Sequence, residues 1–275
     1  MNKRKIIQKA LPYMVLSIIG IMFFIPLLWV IFASFDAHAT LSIEWPDEFT
    51  LENYTQLLTD PEILRSFVIG VFLSLVSSLV LIFCSALAAY PLSRYHLKHK
   101  NSMILTILFM SGLPMTAIMV PVYQLFVFFN LNDSLIATMF FMAASGLPYG
   151  IWLMKNFIDS VPVSLEESAW VDGASVLVGL RKVVAPLMKP GIFTVLIFTF
   201  TNSWGNFFVP FILIQSREKL PASVSIFQFF GQHGMVFYGQ LAAFSFVYTI
   251  PVIILYFVGQ KYMSKGFSLG GATKG

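Results

Sequence analysis

The sequence predicts an all-α, polytopic membrane protein with six transmembrane helices. Hydrophobic residues make up 57% of its 275 residues and charged residues only 11%, whereas a soluble domain has roughly 25% charged residues. Several apolar runs reach the length of about 20 residues that a helix needs to cross a bilayer core. The basic residues lie between these runs, which is typical of loops that set membrane topology and not of a nucleic-acid surface.

Six apolar runs are predicted to be spans of a single transmembrane domain over residues 1–275. They are residues 11–35, 66–92, 103–129, 135–154, 191–214 and 239–259. Pro114 and Pro121 interrupt the third span. The first run also resembles a signal peptide, because Ala37-His38-Ala39 has the composition of a cleavage site. The apolar region of a signal peptide has only roughly 7–15 residues, so we favour an uncleaved first span.

The distribution of lysine and arginine predicts how the chain is oriented in the cell membrane. With these spans, Arg65, Arg217 and Lys219 lie on one side, and every other lysine and arginine lies on the opposite side. Basic loops face the cytoplasm. Both termini are therefore predicted to be cytoplasmic.

The predicted spans contain no Asp, Glu, Lys, Arg or His. Proton-coupled carriers use such groups within the membrane, so a proton-driven carrier is not expected. All histidines lie outside the spans, which leaves no base for an intramembrane nucleophile, and no two His or Cys residues are spaced as metal ligands within one helix. A Gly-x-x-x-x-Gly-Lys-Ser/Thr phosphate loop is also missing from the sequence. We therefore predict no catalytic residue and no metal site in this chain.

The longest polar segment between two apolar runs is residues 160–190, called the 160–190 loop below. Ser164 precedes Glu167 by three residues, a spacing that predicts a capping box and a helix beginning at Leu165. Gly173 interrupts this helix at a cost of about 1 kcal/mol relative to alanine, so we expect a sharp bend there or the close approach of another backbone. The apolar residues at helical spacing are Ala169, Trp170, Ala174, Leu177 and Leu180.

Four groups of residues in this loop have the order and spacing of a known motif: Glu167-Ser168-Ala169, Asp172-Gly173-Ala174, Val183 and Ala185-Pro186. They resemble the "EAA" loop of ATP-binding-cassette importer permeases, with Ser168, Val183 and Ala185 in place of Ala, Ile and Leu. In that family the loop forms a short cytoplasmic coupling helix that docks into a cleft of the ATPase subunit. A surface helix without a partner is the alternative. The resemblance implies ATPase coupling through Glu166, Glu167, Ser168, Ala169, Trp170, Asp172, Gly173, Ala174, Leu177, Leu180 and Pro186.

A wider resemblance covers about Ser66 to Gly275 and is to the permease subunits of carbohydrate importers, specifically the subgroup that is similar to the shorter permease of the maltose transporter. It includes Pro121-Val122-Tyr123, Trp204-x-Asn206 and the glycine-rich tail. Gly205 departs from the family, in which Asn directly follows Trp. The tail reaches the ATPase in that family, and a disordered terminus is the alternative here. The implied tail contacts are Gly270, Gly271 and Lys274.

The resemblance implies a membrane transport subunit, not an enzyme. It would move a sugar inward by alternating access, with an oligosaccharide favoured. This chain would hold no cofactor, since ATP and Mg would be bound by partner ATPase subunits. The other implied partners are a second homologous permease subunit in a heterodimer, an extracytoplasmic solute-binding protein, the carbohydrate and membrane lipid, with no nucleic acid. A stand-alone solute facilitator or channel is the alternative, and an intramembrane enzyme is disfavoured.

Sugars are bound by neutral hydrogen-bonding groups and aromatic faces. We predict a substrate path from such residues in or near the third to fifth spans: Tyr123, Gln124, Tyr149, Asn202, Trp204 and Asn206. The same residue types also serve as helix–helix hydrogen bonds and interfacial anchors. The predicted external loop Gln215–Tyr238 would either dock against the solute-binding protein or lie at the membrane interface.

Overall fold

The structure, a computed structural model, describes residues 3–46, 48–230 and 236–271. Within these ranges the chain is helical and contains isolated β-bridges but no strand, which confirms the all-α prediction. The helices are α1 Lys3–Ser34, α2 Glu52–Thr59, α3 Pro61–Arg94, α4 Lys100–Ser111, α5 Met115–Phe128, α6 Leu135–Asp159, α7 Val163–Val171, α8 Val176–Gly179, α9 Ala185–Leu187, α10 Lys189–Trp204, α11 Phe208–Leu213, α12 Ala222–Ser225 and α13 Tyr238–Gly271. A π-helical turn, Leu180–Val184, joins α8 to α9, and short 3-10 turns occupy Arg217–Lys219 and Ile226–Phe229.

Four described helices are long and apolar enough to cross a membrane: Leu11–Ser34, Pro61–Arg94, Leu135–Asp159 and Tyr238–Lys261. Two bent pairs raise the number to six if each pair is one span. The first pair is α4 with α5, bent by 89°, and the second is Val176–Leu187 with α10, bent by 73°. The polytopic helical architecture thus agrees with the sequence, although two of the spans are not single helices.

The third predicted span, 103–129, differs from one continuous helix because it breaks between Ser111 and Met115. Pro114 is the N-cap of α5 in an extended conformation, and a proline disfavours helical geometry in the residue before it. Pro121 lies inside α5 without ending it, as membrane helices tolerate. The fifth predicted span, 191–214, likewise divides into α10 and α11.

The chain divides into two compact units, one of residues 1–64 and 225–250 and the other of residues 65–224 and 251–275. In the first unit, α2 is tied to the end of α1. The Asn53 amide donates to the Ser34 and Asp36 carbonyls at 3.3 and 3.0 Å, and the Tyr54 hydroxyl donates to the Ser34 hydroxyl at 2.8 Å. The prediction of a single domain over residues 1–275 stays a prediction.

The second unit carries the 160–190 loop and has two apolar clusters. One cluster includes Ala89, Met154, Ile158 and Val184 and lies where α3, α6 and the 160–190 loop meet. The other includes Leu73, Met119, Met139 and Val209 and joins α3, α5, α6 and α11. The first cluster provides the base on which the 160–190 loop is held.

Helices α3 and α6 approach closely at Gly146 and Gly150, which are one turn apart on α6. A Cβ added at Gly146 would lie 2.5 Å from one methyl of Leu81, and a Cβ at Gly150 would lie 2.5 Å from the other. Leu81 itself is buried. Small residues with this spacing allow close packing of membrane helices, and Gly146 and Gly150 form such a packing site.

We expect Gly146→Ala/Gly150→Ala to destabilise the purified protein by about 1–3 kcal/mol, the usual cost of overpacking. Either methyl group alone leaves Leu81 one direction in which to move, so each single variant should lose less than half as much. Adding Leu81→Ala should recover most of the loss because the two new methyl groups fill the space vacated by Leu81. Thermal unfolding in detergent measures the stability of the single, double and triple variants. The prediction would be contradicted if the losses of the two single variants added up to that of the double variant and Leu81→Ala recovered none of it.

Candidate functional site: the 160–190 loop, its buried anchor and a central cavity

The first helix of the loop, α7, begins at Val163, two residues before the predicted start at Leu165. The predicted capping box is wrong. Pro162 is the N-cap and makes no side-chain capping bond, and Ser164 lies within the helix, where its carbonyl accepts a hydrogen bond from the Ser168 hydroxyl at 2.8 Å. Proline favours the extended geometry that precedes a helix and ends the preceding segment, so the helix can begin directly after it.

Gly173 ends α7 in a left-handed turn. Its φ is +84°, and no atom lies within 4 Å of where a Cβ would be. The Gly173 amide donates to the Trp170 carbonyl at 3.0 Å and the Ala174 amide to the Ala169 carbonyl at 2.9 Å, which is the Schellman pattern of a helix end. Gly173 therefore produces a bend, and no backbone from the described part of this chain approaches its Cβ position. The helix predicted to run to Leu180 is divided at this point.

The chain re-enters helix at Ser175, whose side chain accepts a hydrogen bond from the Val178 amide at 3.4 Å. It continues through α8, the π-helical turn and α9, and then bends into α10. Trp170 is 36% exposed, and its indole nitrogen would be 3.2 Å from a Cβ at Gly179. This packing holds α7 and α8 together as one folded unit.

The 160–190 loop exposes apolar side chains that face no other part of its unit. Val171 is 87% exposed and Leu177 is 71% exposed. Of the sequence-predicted coupling residues, the exposed ones are Glu167, Ser168, Trp170, Asp172, Gly173, Leu177 and Pro186, and the half-buried ones are Ala169, Ala174 and Leu180. A mixed apolar and acidic surface is thus available on this loop.

Glu166 is the exception among the predicted coupling residues, because its side chain is completely buried. Arg94, at the end of α3, donates from Nε to Glu166 Oε1 at 2.5 Å, and the Tyr90 hydroxyl donates to Oε2 at 2.9 Å. We call Tyr90, Arg94 and Glu166 the buried anchor. Sequence reasoning missed it, treating Arg94 only as a topology marker, and the one available signal was an arginine at the end of a span.

A second network of hydrogen bonds, centred on the carboxylate of Asp133, joins the turn after α5 to the segment after α11. Asp133 has a φ of +59°, and its carboxylate accepts from the Gln215 and Ser216 amides at 2.9 Å, the Ser216 hydroxyl at 2.5 Å and Lys219 Nζ at 2.7 Å. Partial burial opposes ionisation, but the hydrogen bonds from Lys219, Ser216 and Gln215 outweigh it and hold the pKa of Asp133 well below its usual range. The Asp133 carboxylate therefore fastens these two segments.

We expect Asp133→Asn to destabilise the protein at pH 7 by on the order of 1 kcal/mol, a figure reduced because the Lys219 partner is partly exposed. A carboxyl group whose pKa is lowered on folding contributes stability above its ordinary pKa of about 3.9. That contribution is lost as the pH falls toward the lowered folded value. The difference in melting temperature between the two proteins should begin to narrow as the pH falls below about 4, whereas Glu218→Gln in the exposed part of the same loop should match the parent throughout.

A cavity of about 420 Å³ lies in the second unit among α3 to α6 and α10. This volume falls in the range of small-molecule sites. Its walls combine apolar residues with neutral polar ones, and no charged residue lines it. The polar lining consists of Ser111, Ser145, Tyr149, Thr199, Asn202, Ser203 and Asn206. The arrangement can offer hydrogen bonds and one aromatic side chain to an uncharged polar solute.

Three of the six predicted substrate-path residues, Tyr149, Asn202 and Asn206, line this cavity. Trp204 does not, because it is buried and stacked on Phe200 with ring centroids 6.1 Å apart. Tyr123 and Gln124 are exposed outside the cavity lining. Of the predicted tail contacts, Gly270 and Gly271 end α13, and Lys274 lies outside the described residues.

Comparison with known proteins identifies the family. The family described as "binding-protein-dependent transport system inner membrane component" matches residues 82–268. The chain belongs to this family. The sulfoquinovosyl glycerol transport system permease protein of Agrobacterium fabrum is 30% identical over 270 residues, covering 96% of this chain and 93% of that protein. The glucose import system permease protein of Saccharolobus solfataricus is 29% identical over 286 residues, covering 99% and 98%.

A solved structure agrees with the fold of this permease. A bacterial ATP-binding-cassette transporter, whose structure is described as involved in import of the acidic polysaccharide alginate, has a chain that superposes with a TM-score of 0.81 at 22% identity, covering 96% of this chain and 99% of that one. The resemblance to importer permeases drawn from the 160–190 loop is thus confirmed. The chain is a transport subunit and an integral inner-membrane protein.

Proposed function

We propose that this permease moves a carbohydrate into the cytoplasm by alternating access driven by partner ATPase subunits. The observation that carries the proposal is the 160–190 loop: α7, closed by a Schellman turn at Gly173, exposes Trp170 and Val171, and α8 exposes Leu177 beyond the turn. Burying apolar surface contributes roughly 25 cal/mol per Å², so such a loop has a reason to dock on another chain. A facilitator acting alone has no need of it.

The composition of the predicted spans indicates the energy source. The spans predicted from the sequence carry no ionisable side chain, so this chain offers no intramembrane group with which to couple transport to protons. We infer that an ATPase dimer binds ATP and Mg and that its closure moves the 160–190 loop on the cytoplasmic side. A second homologous permease subunit completes the translocation path, and both termini of this chain are cytoplasmic, as the basic loops indicate.

The central cavity supports the choice of substrate class. Its lining has hydroxyl and amide groups, Tyr149 and no charge, a composition suited to a neutral sugar. Relatives are named for sulfoquinovosyl glycerol and glucose transport, which is consistent with a glycoside or saccharide. An extracytoplasmic solute-binding protein would deliver it, as the family description implies. Alternating access then exposes the cavity to each side in turn.

Purification of the tagged chain from its native membrane tests this function. The proposal expects an ATPase dimer and a second six-span chain to co-purify, and ATP-dependent uptake of at least one neutral sugar in proteoliposomes that also contain the solute-binding protein. The probes are glucose, maltose, trehalose and raffinose, with an alginate oligosaccharide as the acidic comparison. Uptake by this polypeptide alone, without ATP, would instead support the facilitator.

The cavity assignment predicts that Asn202→Leu lowers uptake of the transported sugar by roughly tenfold, because a lost or unsatisfied hydrogen bond costs about 1–3 kcal/mol. Gln124→Leu makes the same amide-to-apolar change outside the cavity lining and should leave uptake near that of the parent. Initial uptake rates in proteoliposomes, normalised to the amount of complex, measure both. Equal losses in the two variants would argue against this cavity as the path.

A further inference from the structure

The buried anchor joins segments that are far apart in the sequence. Arg94 binds Glu166 across 72 residues and also donates from its guanidinium to the Val161 carbonyl at 2.9 Å. Tyr90, one turn earlier on α3, holds the other oxygen of the same carboxylate. Both oxygens of Glu166 are therefore held by α3, although α7 is connected by the chain to α6.

Burial makes these contacts restrictive. The side chains of Arg94 and Glu166 are 4% and 0% exposed. Charged hydrogen bonds shielded from water are stronger than exposed ones. The planar guanidinium also fixes direction, since it donates to Glu166, Val161 and the Ser93 hydroxyl at once. A rotation of α7 about its own axis would break at least one of these bonds.

A further link at the same place includes the end of α6. The Ser93 hydroxyl donates to Asp159 Oδ1 at 2.5 Å, and Lys155 pairs with Asp159 Oδ2. Ile158, Val161 and Ala89 pack beneath these polar groups in one apolar cluster. Hydrogen bonds, ion pairs and apolar packing thus hold together the end of α3, the end of α6 and the start of α7.

We propose that Arg94 is a positioning residue of the transport cycle, holding α7 to the end of α3 so that a displacement of the 160–190 loop moves α3 directly. Without the buried anchor, a force on α7 reaches the membrane helices through its chain connections to α6 and α10 and through apolar packing. With it, α3 moves with α7 as one body, and α3 carries Leu81 on the wall of the central cavity. This inference rests on the proposed docking of the loop on an ATPase.

The experiment compares the parent with an apolar triple variant, Tyr90→Phe/Arg94→Met/Glu166→Met. Replacing a complete buried ionic cluster with apolar residues of similar volume is often neutral or stabilising, whereas removing one partner is not. The variant therefore removes the directional bonds while keeping the packing. Asp133→Asn/Lys219→Met is the matched control, because it removes an ion pair of the same charge elsewhere in the same unit.

Spin labels at Ser164→Cys and Leu87→Cys, in a Cys84→Ser background, report the distance between α7 and α3, since Ser164 and Leu87 are both exposed and neither belongs to the proposed docking surface. Pulsed electron resonance is recorded on the whole purified complex, first without nucleotide and then trapped with MgATP and vanadate. In the parent and the control we expect one narrow distance that trapping leaves unchanged. In the triple variant we expect a broader distribution whose maximum shifts on trapping.

Two results would overturn the proposal. One is a triple variant whose distances equal those of the parent in both states, which would mean that packing alone positions α7. The other is a parent distance that shifts on trapping, which would mean that α7 and α3 do not move together. If the triple variant fails to fold, Arg94→Lys replaces it in the experiment, because lysine keeps the charge but lacks the planar guanidinium. This single substitution should broaden the distribution of distances between the labels. An unchanged distribution would contradict the role of Arg94. Absence of any ATPase in the purified complex would reject the proposed function, while the nucleotide-free comparison would still decide the role of Arg94.

Discussion

Gly173→Pro is expected to abolish sugar uptake and sugar-stimulated ATP hydrolysis while leaving the protein in the membrane. The native φ of +84° is closed to proline, whose ring fixes φ near −65°, and the substitution also removes the amide that donates to the Trp170 carbonyl. The turn between α7 and α8 cannot then form as it does in the parent. Because the exposed apolar residues of the loop lie on both sides of this turn, the docking surface loses its shape.

Other substitutions at Gly173 separate backbone geometry from crowding. The space around its Cβ position is empty, so a side chain there meets no steric obstacle. Valine should still lose most uptake, because a left-handed conformation costs an L-residue about 1–2 kcal/mol and is worst for β-branched side chains. Asparagine, which adopts this conformation readily, should retain most uptake. Valine and asparagine variants of equal activity would exclude the turn geometry as the cause.

Asp172→Lys tests the charge of the same surface without changing the turn. Asp172 is exposed, so its reversal should have little effect on folding, and a loss of stimulated ATP hydrolysis would report on docking. Immunoblots of the membrane fraction give the amount of protein for each variant. The proposed mechanism would be contradicted if Gly173→Pro and Asp172→Lys both showed normal sugar uptake and normal sugar-stimulated ATP hydrolysis.

The sequence predicted the location of the 160–190 loop better than its internal geometry. The motif from Glu167 to Pro186 identified the segment, and a bend at Gly173 was one of the two alternatives expected there. The capping box failed because Ser164 and Glu167 have a suitable spacing but Pro162 already determines where α7 begins. Spacing alone does not show which of two possible starting residues has the backbone geometry of a cap.

Glu166 and Glu167 show why burial was harder to predict than helix position. Successive residues of a helix point about 100° apart, so one of two adjacent acidic residues can face the protein while the other faces outward. Glu166 is buried and Glu167 is exposed. The partner that makes burial of Glu166 tolerable, Arg94, is 72 residues away, and no local pattern connects them.

The cavity residues were predicted in part for a similar reason. Asn202, in α10, and Asn206, in the segment that follows α10, both line the cavity, whereas Trp204 at the end of α10 is buried. Polarity and aromatic character nominated all three, but only the helical phase of α10 distinguishes Asn202 from Trp204. That phase depends on where α3 and α6 lie, which the sequence of α10 does not specify.

Arg94→Met alone is expected to destabilise the protein by about 3–5 kcal/mol, the usual cost of leaving a buried charge without its partner. The Glu166 carboxylate would remain wholly buried with Tyr90 as the one donor left from the anchor. Adding Glu166→Gln should restore most of the loss, because a neutral amide of the same size can still bond to the Tyr90 hydroxyl. Lys155→Met, which removes a partly exposed pair on one face of α6, should cost only about 0.3–0.5 kcal/mol.

The fraction of protein that stays monodisperse in detergent after heating measures all three variants against the parent. If Arg94→Met and Arg94→Met/Glu166→Gln lose stability equally, the cost comes from lost arginine packing and not from an unpaired carboxylate. Recovery in the double variant would instead locate the stabilisation in charge pairing. The double variant removes the guanidinium that fixes the direction of α7, so its uptake should stay low after its stability returns.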